Sequence, residues 1–206
     1  RDGETSVYAV VGDRIIQYSF DGTIQNSYTN SDGAYHELAV GPNYVWAVYD
    51  QTLHRLDKDL NSATEVASFP DNLRGIAYRD NYVYVAGSSV TPEETTAWKV
   101  STSGDKEWSN TINTRSIRPG VAADSTGNIF FGGEQLQKTT STGNDASGSW
   151  PVDTGGIRVV ETDSNNNIYT ASSYSGEESG YRVRKFDQDG NELWDVPHRD
   201  DDGNLY

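Results

Sequence analysis

The sequence predicts an all-β fold, and three observations support this prediction. Short apolar-aromatic segments recur along the chain at similar intervals. Between them lie turn sequences rich in Asp, Ser and Gly, which favour tight turns because they bond backbone amides or adopt a positive φ. No segment has the i, i+3, i+4 apolar spacing of an amphipathic helix.

The clearest unit is residues 181–194, YRVRKFDQDGNELW. Its first half alternates two sets of side chains with a period of two, which is typical of a strand with two different faces. Asp187 and Gly190 then supply a tight turn, and the chain returns as a second strand that ends at Trp194. This unit is predicted to be a β-hairpin.

Weaker copies of this unit define a repeat whose strand cores are 38, 38, 46 and 39 residues apart. These cores are Val7-Tyr8, Val45-Trp46, Val83-Tyr84, Ile129-Phe130 and Ile168-Tyr169. With the strands expected on either side, each repeat holds about four strands in roughly 40 residues, the period of a propeller blade. We therefore predict a single β-propeller domain over residues 1–206, with about five four-stranded blades. The repeats cover approximately residues 1–42, 43–80, 81–127, 128–166 and 167–206.

The positions of the repeats along the chain do not decide how the propeller closes. The sequence starts just before the second strand of one unit and ends at what resembles the same point in another. Trp194 and Gly203 are only 9 residues apart, against 19 between Trp108 and Gly127. The alternatives are a five-bladed ring with unusual closure and an arc of a longer propeller. Because open strand edges invite pairing, a closing partner is expected, in a larger chain or a homo-oligomer.

Two segments resemble a known repeat family. Residues 118–131, RPGVAADSTGNIFF, resemble the Pro-x-Gly-Ile-Ala-x-Asp-x-x-Gly-Asn-Ile-Tyr signature of NHL-type and related bacterial β-propeller repeats. Residues 167–194 are similar to the repeat that closes with Lys-x-Asp-x-Asp-Gly-x-x-x-Trp. The closing Trp is similar to the docking Trp of quinoprotein and outer-membrane-assembly propellers, so we expect it to pack between blades. The resemblance implies a fold rather than an activity, because its motifs are structural.

The charge balance is strongly acidic, with 31 Asp and Glu against 16 Lys and Arg and a net charge of −15. The acidic residues are spread over most turns, and molar salt screens such charges within about 3 Å. We therefore expect a halophilic source; the alternative is an ordinary acidic extracellular protein. Nucleic acid is not an expected partner, because phosphate binding needs clustered Lys and Arg, and membrane insertion is not expected either.

Several kinds of chemistry lack their residues in this sequence. There is no Cys, so disulfides, thiolate metal sites and a Cys nucleophile are excluded. Quinoprotein propellers use adjacent cysteines at their cofactor site, and no phosphate-binding Gly loop is present. No cofactor is therefore predicted.

The candidate metal ligands are few. His36, His54 and His198 occupy different repeats and non-equivalent positions, so surface or satisfied structural roles are favoured over a metal cluster. The stretches 187–191 and 200–204 resemble calcium loops but lack the EF-hand spacing, and hairpin turns are the favoured interpretation. A weak Ca²⁺ or Na⁺ site remains a hypothesis for Asp200, Asp202 and Asn204.

The loops that differ between repeats are the predicted binding segments. They are the polar insertions at residues 88–96, 144–149 and 172–180. The residues selected from them are Ser88, Glu93, Glu94, Asn144, Asp145, Tyr174, Glu177 and Glu178.

These observations favour a non-catalytic binding or structural module of an extracellular, cell-surface or virion assembly, with protein or glycan contacts. The alternative is a propeller enzyme, either a lactonase-like hydrolase or a quinoprotein-like oxidoreductase. Three or more acidic, Asn or His side chains meeting at the central channel would favour the enzyme.

Overall fold

The computed structural model describes residues 6–89, 94–112, 119–174 and 180–197. Within these ranges the chain forms nineteen β-strands and no helix, and therefore no helix able to cross a membrane. In chain order the strands are β1 (Ser6–Val11), β2 (Arg14–Ser19), β3 (Ile24–Thr29), β4 (Glu37–Val40), β5 (Tyr44–Tyr49), β6 (Thr52–Asp57), β7 (Ala63–Ser68), β8 (Asn72–Arg79), β9 (Tyr82–Ser88), β10 (Thr95–Ser101), β11 (Lys106–Ile112), β12 (Val121–Ala123), β13 (Ile129–Gly132), β14 (Gln135–Thr139), β15 (Val152–Asp153), β16 (Gly156–Thr162), β17 (Ile168–Tyr174), β18 (Gly180–Phe186) and β19 (Glu192–Pro197).

Neighbouring strands pair antiparallel in five separate sheets, each a simple meander. We call these sheets blades 1 to 5. Blade 1 has three described strands, β1–β3, and the other blades have four each, namely β4–β7, β8–β11, β12–β15 and β16–β19. The predicted all-β propeller of about five blades is confirmed.

The first strands of blades 2 to 5 lie side by side at the centre of the molecule. Strand β4 contacts β8, β8 contacts β12, and β12 contacts β16. We call them the inner strands. Blade 1 differs, because its first described strand contains the core Val7-Tyr8, which matches the second strand of the other blades.

Each blade is offset from the sequence repeat by one strand. The short strand ahead of each core pairs with that core and not with the strand before it. Strand β4, for example, falls in the predicted repeat 1–42 but pairs with β5. The repeat bounds therefore mark the second strand of each blade, and the sheets begin one strand earlier.

Four hydrophobic clusters join successive blades. The blade 1–2 cluster includes Ile15 and Leu56, and the blade 2–3 cluster includes Trp46 and Trp98. The blade 3–4 cluster includes Phe131, and the blade 4–5 cluster is built around pairs such as Phe130 and Phe186. Because one sheet cannot bury both of its faces alone, each blade depends on its neighbours for its core.

The turn between the third and fourth strands is the same in all five blades. The backbone N–H of its fourth residue donates to the carbonyl of its first, at 3.0–3.1 Å in four blades and 2.9 Å in blade 4. These donors and acceptors are Gly22 to Ser19, Leu60 to Asp57, Gly104 to Ser101, Gly143 to Thr140 and Gly190 to Asp187. The sequence prediction of five matching turns agrees with this geometry.

A hydrogen bond links each of blades 1 to 4 to this turn of the next blade. In every case the acceptor is the carbonyl of the second turn residue. The pairs are Tyr8 Oη to Lys58 at 2.7 Å, Arg55 Nη1 to Thr102 at 3.1 Å, Trp108 Nε1 to Ser141 at 3.1 Å and Lys138 Nζ to Gln188 at 2.6 Å. We call this repeated contact the blade joint.

The predicted packing of Trp between blades is seen for two residues and, among the described residues, is not seen for a third. Trp108 lies against the Gly143 turn of the next blade, and Trp150 lies against the Gly190 turn. Trp194, by contrast, is 39% exposed and contacts only the Tyr169 ring of its own blade among the described aromatic residues. The reason is that no described blade follows blade 5.

The tight fit at the blade joint can be tested at one glycine. Gly143 has φ +88°, and a Cβ there would lie 2.7 Å from Trp108 Cγ. We expect Gly143→Ala to lower the free energy of unfolding through backbone strain of about 1–3 kcal/mol plus an overpacking cost of similar size. Urea denaturation monitored by Trp fluorescence measures this loss.

Gly22→Ala is the matched control. Gly22 occupies the same turn position with φ +86°, but a Cβ there meets nothing within 4 Å. It should therefore carry only the backbone strain. Equal losses in the two variants would show that the blade joint is not tightly packed at Gly143.

Candidate functional site

A cavity lies where the inner strands end. Its volume is about 600 Å³. All five blades contribute to its walls, which makes it the mouth of the central channel. The lining residues are Ser6, Val7, Tyr8, Phe20, Leu38, Ala39, Val40, Ile76, Ala77, Tyr78, Arg79, Val121, Ala122, Ala123, Glu161 and Thr162.

The strand topology determines why these residues meet. Inner strands end at the turn to the second strand, and the turn between the third and fourth strands lies at the same end of each meander. The last residues of β4 and β8, the first residues of β1 and the turn residue Phe20 therefore line one opening. Residues from positions as far apart as 6 and 162 form a single site.

More of the exposed surface of this channel mouth is polar than apolar, although most of the residues that line it are apolar. Aliphatic and small side chains of the inner strands predominate, and Tyr8 and Tyr78 add two phenol rings. Burial raises the pKa of Tyr78, so its hydroxyl stays protonated and can donate a hydrogen bond. Arg79 stands at the cavity with its Nε 3.6 Å from the Asp80 carboxylate. A cavity of this size and character suits a few side chains of a partner or a small ligand.

A carboxyl group with a perturbed pKa lies near the start of β4. The backbone N–H of Ile76 on β8 donates to Glu37 Oε2 at 3.0 Å. The Glu37 side chain touches solvent, yet surrounding protein atoms desolvate it and raise its pKa to about 7, with a smaller contribution from the charge of Glu161. Glu37 belongs to blade 2 and Glu161 to blade 5, so the two acids share the central channel.

His36 precedes Glu37 in the chain, but its side chain makes a separate set of contacts. Arg74 donates to His36 Nε2, which also lies 3.6 Å from Asp50 Oδ1. The second of the three histidines, His54, is buried, and the Tyr35 hydroxyl is 2.8 Å from its Nδ1. Burial lowers the pKa of His54 and raises that of Tyr35. Both histidines have structural partners, as the sequence predicted, and His198 lies outside the described residues.

The acidic turns are hydrogen-bonding motifs. The Asp187 carboxylate accepts from the backbone N–H of Asp189 and Asn191 and from Asn191 Nδ2, each at 2.9 Å. Asp124 and Asp163 make the same three kinds of bond in their own turns. Such bonds hold the pKa of Asp163 at about 2 and lower that of Asp187. Because amide N–H groups already point at these oxygens, the turn at 187–191 is not arranged to bind a cation.

The predicted ion ligands Asp200, Asp202 and Asn204 lie outside the described residues. Their sequence, Asp200-x-x-Gly203-Asn204, has the same spacing as Asp124-x-x-Gly127-Asn128 and Asp187-x-x-Gly190-Asn191. Among the described residues, no group of three or more His, Asp or Glu side chains is placed to hold a metal ion.

The predicted binding loops do not form one surface. The insertions at 88–96 and 172–180 connect second and third strands, and the one at 144–149 connects a third strand to a fourth. In an antiparallel meander these connections lie at opposite ends, so the loops are divided between the two faces of the propeller. Glu93, Glu177 and Glu178 lie outside the described residues, as does the side chain of Tyr174.

The described members of these loops are held within the fold. Asp145 Oδ1 accepts from Asn110 Nδ2 at 2.6 Å and from Gln137 Nε2 at 2.7 Å, which ties blade 3 to blade 4. Asn144 Nδ2 donates to Thr142 Oγ1. Ser88 pairs within its sheet with Asn72 and Thr95, and the Glu94 carbonyl accepts from the Ser89 N–H. Their role in binding stays a prediction.

Sequence reasoning missed the channel mouth and Glu37. The sequence predicts a strand ahead of each core, but which end of these strands forms a cavity depends on how the blades meet. One usable signal was present: Ala39 and Ala122, both small, stand at equivalent places ahead of the Val45 and Ile129 cores.

The comparisons with known proteins identify the fold. No protein-family model and no curated protein matches the chain. A protein of unknown function from Bacteroides caccae is similar in structure, with a TM-score of 0.69 and 12% identity over 94% of this chain and 73% of that one. A chain of the Mitotic Checkpoint Complex has a TM-score of 0.73 and 13% identity over 94% of this chain and 64% of that one.

A third similar structure is the WD40 β-propeller domain of Doa1, with a TM-score of 0.69 and 13% identity over 93% of this chain and 64% of that one. The present chain thus spans about two thirds of the length of these propellers. At this level of identity the likeness concerns the fold alone, and the fold is a β-propeller.

The raised pKa of Glu37 gives a test of the channel. Its pKa is about 7 in the folded protein against an ordinary value of 4.5, so the folded state binds the proton more tightly across this window. The contribution of Glu37 to the free energy of unfolding of the wild-type protein therefore falls as pH rises from 4.5 to 7. We expect Glu37→Gln, which keeps an acceptor for the Ile76 N–H, to become progressively more stable than wild type over this range and to keep a constant advantage above it.

Melting temperatures measured by circular dichroism across this pH range provide the readout. Glu134→Gln, at an exposed turn, is the control for removal of one carboxylate. A pH dependence for Glu37→Gln no larger than that for Glu134→Gln would contradict the raised pKa of Glu37.

Proposed function

We propose that this propeller is a non-catalytic module that binds a protein partner at the channel mouth. One observation supports this most directly: all five blades line a cavity of about 600 Å³, and blades 1 to 4 contribute apolar side chains to it. Buried apolar anchors contribute most of the affinity of protein interfaces. A partner loop that places an apolar or aromatic side chain between Tyr8 and Tyr78 would bury this surface.

The chemistry of the walls favours protein over glycan as the partner. Glycan sites need several converging polar side chains that fix the hydroxyls, whereas nine of the sixteen residues that line this cavity are Leu, Val, Ile or Ala. Its charged members are Arg79 and Glu161, which suit one polar contact each at the rim. The similar solved chain from the Mitotic Checkpoint Complex belongs to a protein assembly, which supports a protein partner for the same fold.

The setting we propose is an extracellular, cell-surface or virion assembly of a halophile. The net charge of −15 and the acidic turns support this proposal. Repulsion among so many carboxylates lowers stability at low ionic strength and is screened as salt rises.

One observation favours the alternative, a propeller hydrolase. Glu37, with a pKa near 7, could act as a general base beside Glu161 in the channel. A panel of lactones and esters at neutral pH tests it: turnover that Glu37→Gln abolishes would establish the hydrolase and overturn the binding module.

The binding proposal is tested with peptides selected from a displayed random library against the wild-type protein. We expect Arg79→Glu, at the channel mouth, to weaken the selected peptides at least about tenfold, which corresponds to about 1.4 kcal/mol. Val40→Trp, which fills the cavity, should abolish binding. Calorimetric titration measures both effects.

Arg14→Glu is the matched charge reversal at the exposed first residue of β2, which is not part of the cavity lining, and should leave the affinity unchanged. Circular dichroism confirms that all three variants are folded. Peptides that bind Arg79→Glu and Val40→Trp as well as wild type would show that the channel mouth is not the binding site.

The halophilic setting is tested by salt. We expect the melting temperature to rise steadily between about 0.1 M and 1 M KCl, because the Debye length shrinks from about 10 Å to 3 Å. Differential scanning fluorimetry provides the measurement. A melting temperature that is constant over this range would contradict charge repulsion as a determinant of stability.

A further inference from the structure

The large hydrophobic side chains left exposed are confined to blades 1 and 5 and their turns. Within the described ranges none belongs to blades 2, 3 or 4. They are Val7, Val11, Phe20, Ile24, Val159, Tyr181, Val183, Leu193, Trp194 and Val196. Scattered exposed apolar residues are ordinary, but two concentrated faces at the two ends of a blade series need an explanation.

On blade 5 these residues form an ordered row across all four strands. Val159 pairs with Ala171, Ala171 with Val183, and Val183 with Val196. Trp194 stands in the next row, paired with Lys185, and its ring contacts that of Tyr169. The three valines of the row are 43–54% exposed.

The equivalent face of blade 3 is an interior surface. Its corresponding rows contain Ala86 paired with Ala97, and Tyr84 paired with Lys99 beside Trp108. Tyr84 and both alanines are buried against Val121, Ile129 and Phe131 of blade 4. Trp108 also donates to the next turn in the blade joint. Blade 5 therefore presents the same type of docking face, with Trp194 in the place of Trp108.

Blade 1 presents the opposite half of the same interface. By the repeat, its Val7 corresponds to Ile129 of blade 4, a fully buried residue, yet Val7 is 49% exposed. Its turn carbonyl at Phe20 accepts no hydrogen bond from the described residues, whereas the four equivalent carbonyls all do. Gly22 has open space around it, whereas Gly104, Gly143 and Gly190 are packed against the preceding blade.

We propose that the gap between blades 5 and 1 is a docking surface for further β-blades of this same repeat, supplied by additional repeats of the same polypeptide. The added blade that packs on blade 5 presents a face of Val, Ile or Phe side chains. A carbonyl in one of its turns accepts a hydrogen bond from Trp194. The added blade that packs on the gap side of blade 1 covers Val7 and Phe20. One of its side chains donates a hydrogen bond to the Phe20 carbonyl. The surface continues the interface that joins blades 1 to 5.

Two features favour added blades over direct closure of blade 5 on blade 1. The matching half-interfaces are both exposed on one chain, so they are not joined to each other. The similar solved propellers are also longer, because this chain spans 64% of the Doa1 domain and 73% of the Bacteroides caccae protein.

The experiment measures the width of the gap with spin labels, which the absence of native Cys makes specific. The test pair is Asp21→Cys in the blade 1 turn and Leu193→Cys beside Trp194. The control pair, Glu107→Cys and Thr142→Cys, occupies the equivalent positions across the intact joint between blades 3 and 4. Because packed sheets lie about 10 Å apart, we expect the test distance to exceed the control distance by at least about 10 Å. Equal distances would show direct closure and overturn the proposal.

Sedimentation and chain extension complete the test. Wild type should sediment as a monomer, and a dimer that protects Trp194 from acrylamide would assign the surface to a second copy and overturn the proposal.

Appending residues 119–197 after Tyr206 should raise the melting temperature and reduce binding of a hydrophobic dye, relative to the chain extended by a Gly/Ser linker of equal length. Identical melting and dye binding in the two extended chains would also overturn it. These readouts are independent of the peptide binding that tests the proposed function.

Discussion

The structure depends on one repeated contact, in which each blade places an apolar face and a hydrogen-bond donor against the turn of the next. The donor changes from Tyr8 to Arg55 to Trp108 to Lys138, but the acceptor is always the carbonyl of the second turn residue. A backbone acceptor does not depend on sequence, so the repeats can diverge while the joint persists. The hydrophobic clusters between blades provide the larger part of the stabilisation, because apolar burial scales with area.

Aspartates also stabilise turns, both at the blade joint and between the first and second strands of a blade. Asp124, Asp163 and Asp187 each use a carboxylate to hold backbone amides and an Asn side chain within one turn. This satisfies the backbone locally without help from a neighbouring blade. The negative charge is consequently distributed around the propeller and not concentrated in a site.

The candidate functional sites form where blades meet and not within a single blade. The channel mouth combines residues of all five blades, and desolvation by neighbouring protein atoms raises the pKa of Glu37, although the hydrogen bond from the Ile76 N–H on the next inner strand opposes this rise. The free faces of blades 1 and 5 show the same principle. A surface that is core in one blade, such as that around Tyr84, is exposed in another, around Trp194.

The sequence by itself determined the strands, the five turns and the propeller period, because these follow from local chemistry: alternation along a strand, and Asp or Gly at fixed turn positions. It also identified the Asp187–Gly190 segment as a turn and not an ion site, since four other copies share its place. Only the tertiary structure decided that Trp108 is docked while Trp194 is exposed, that the insertions lie on two faces, and that Glu37 and Glu161 share a channel. These outcomes depend on which blade follows which, and residues 39 or more positions apart in the chain must meet before burial and charge take effect.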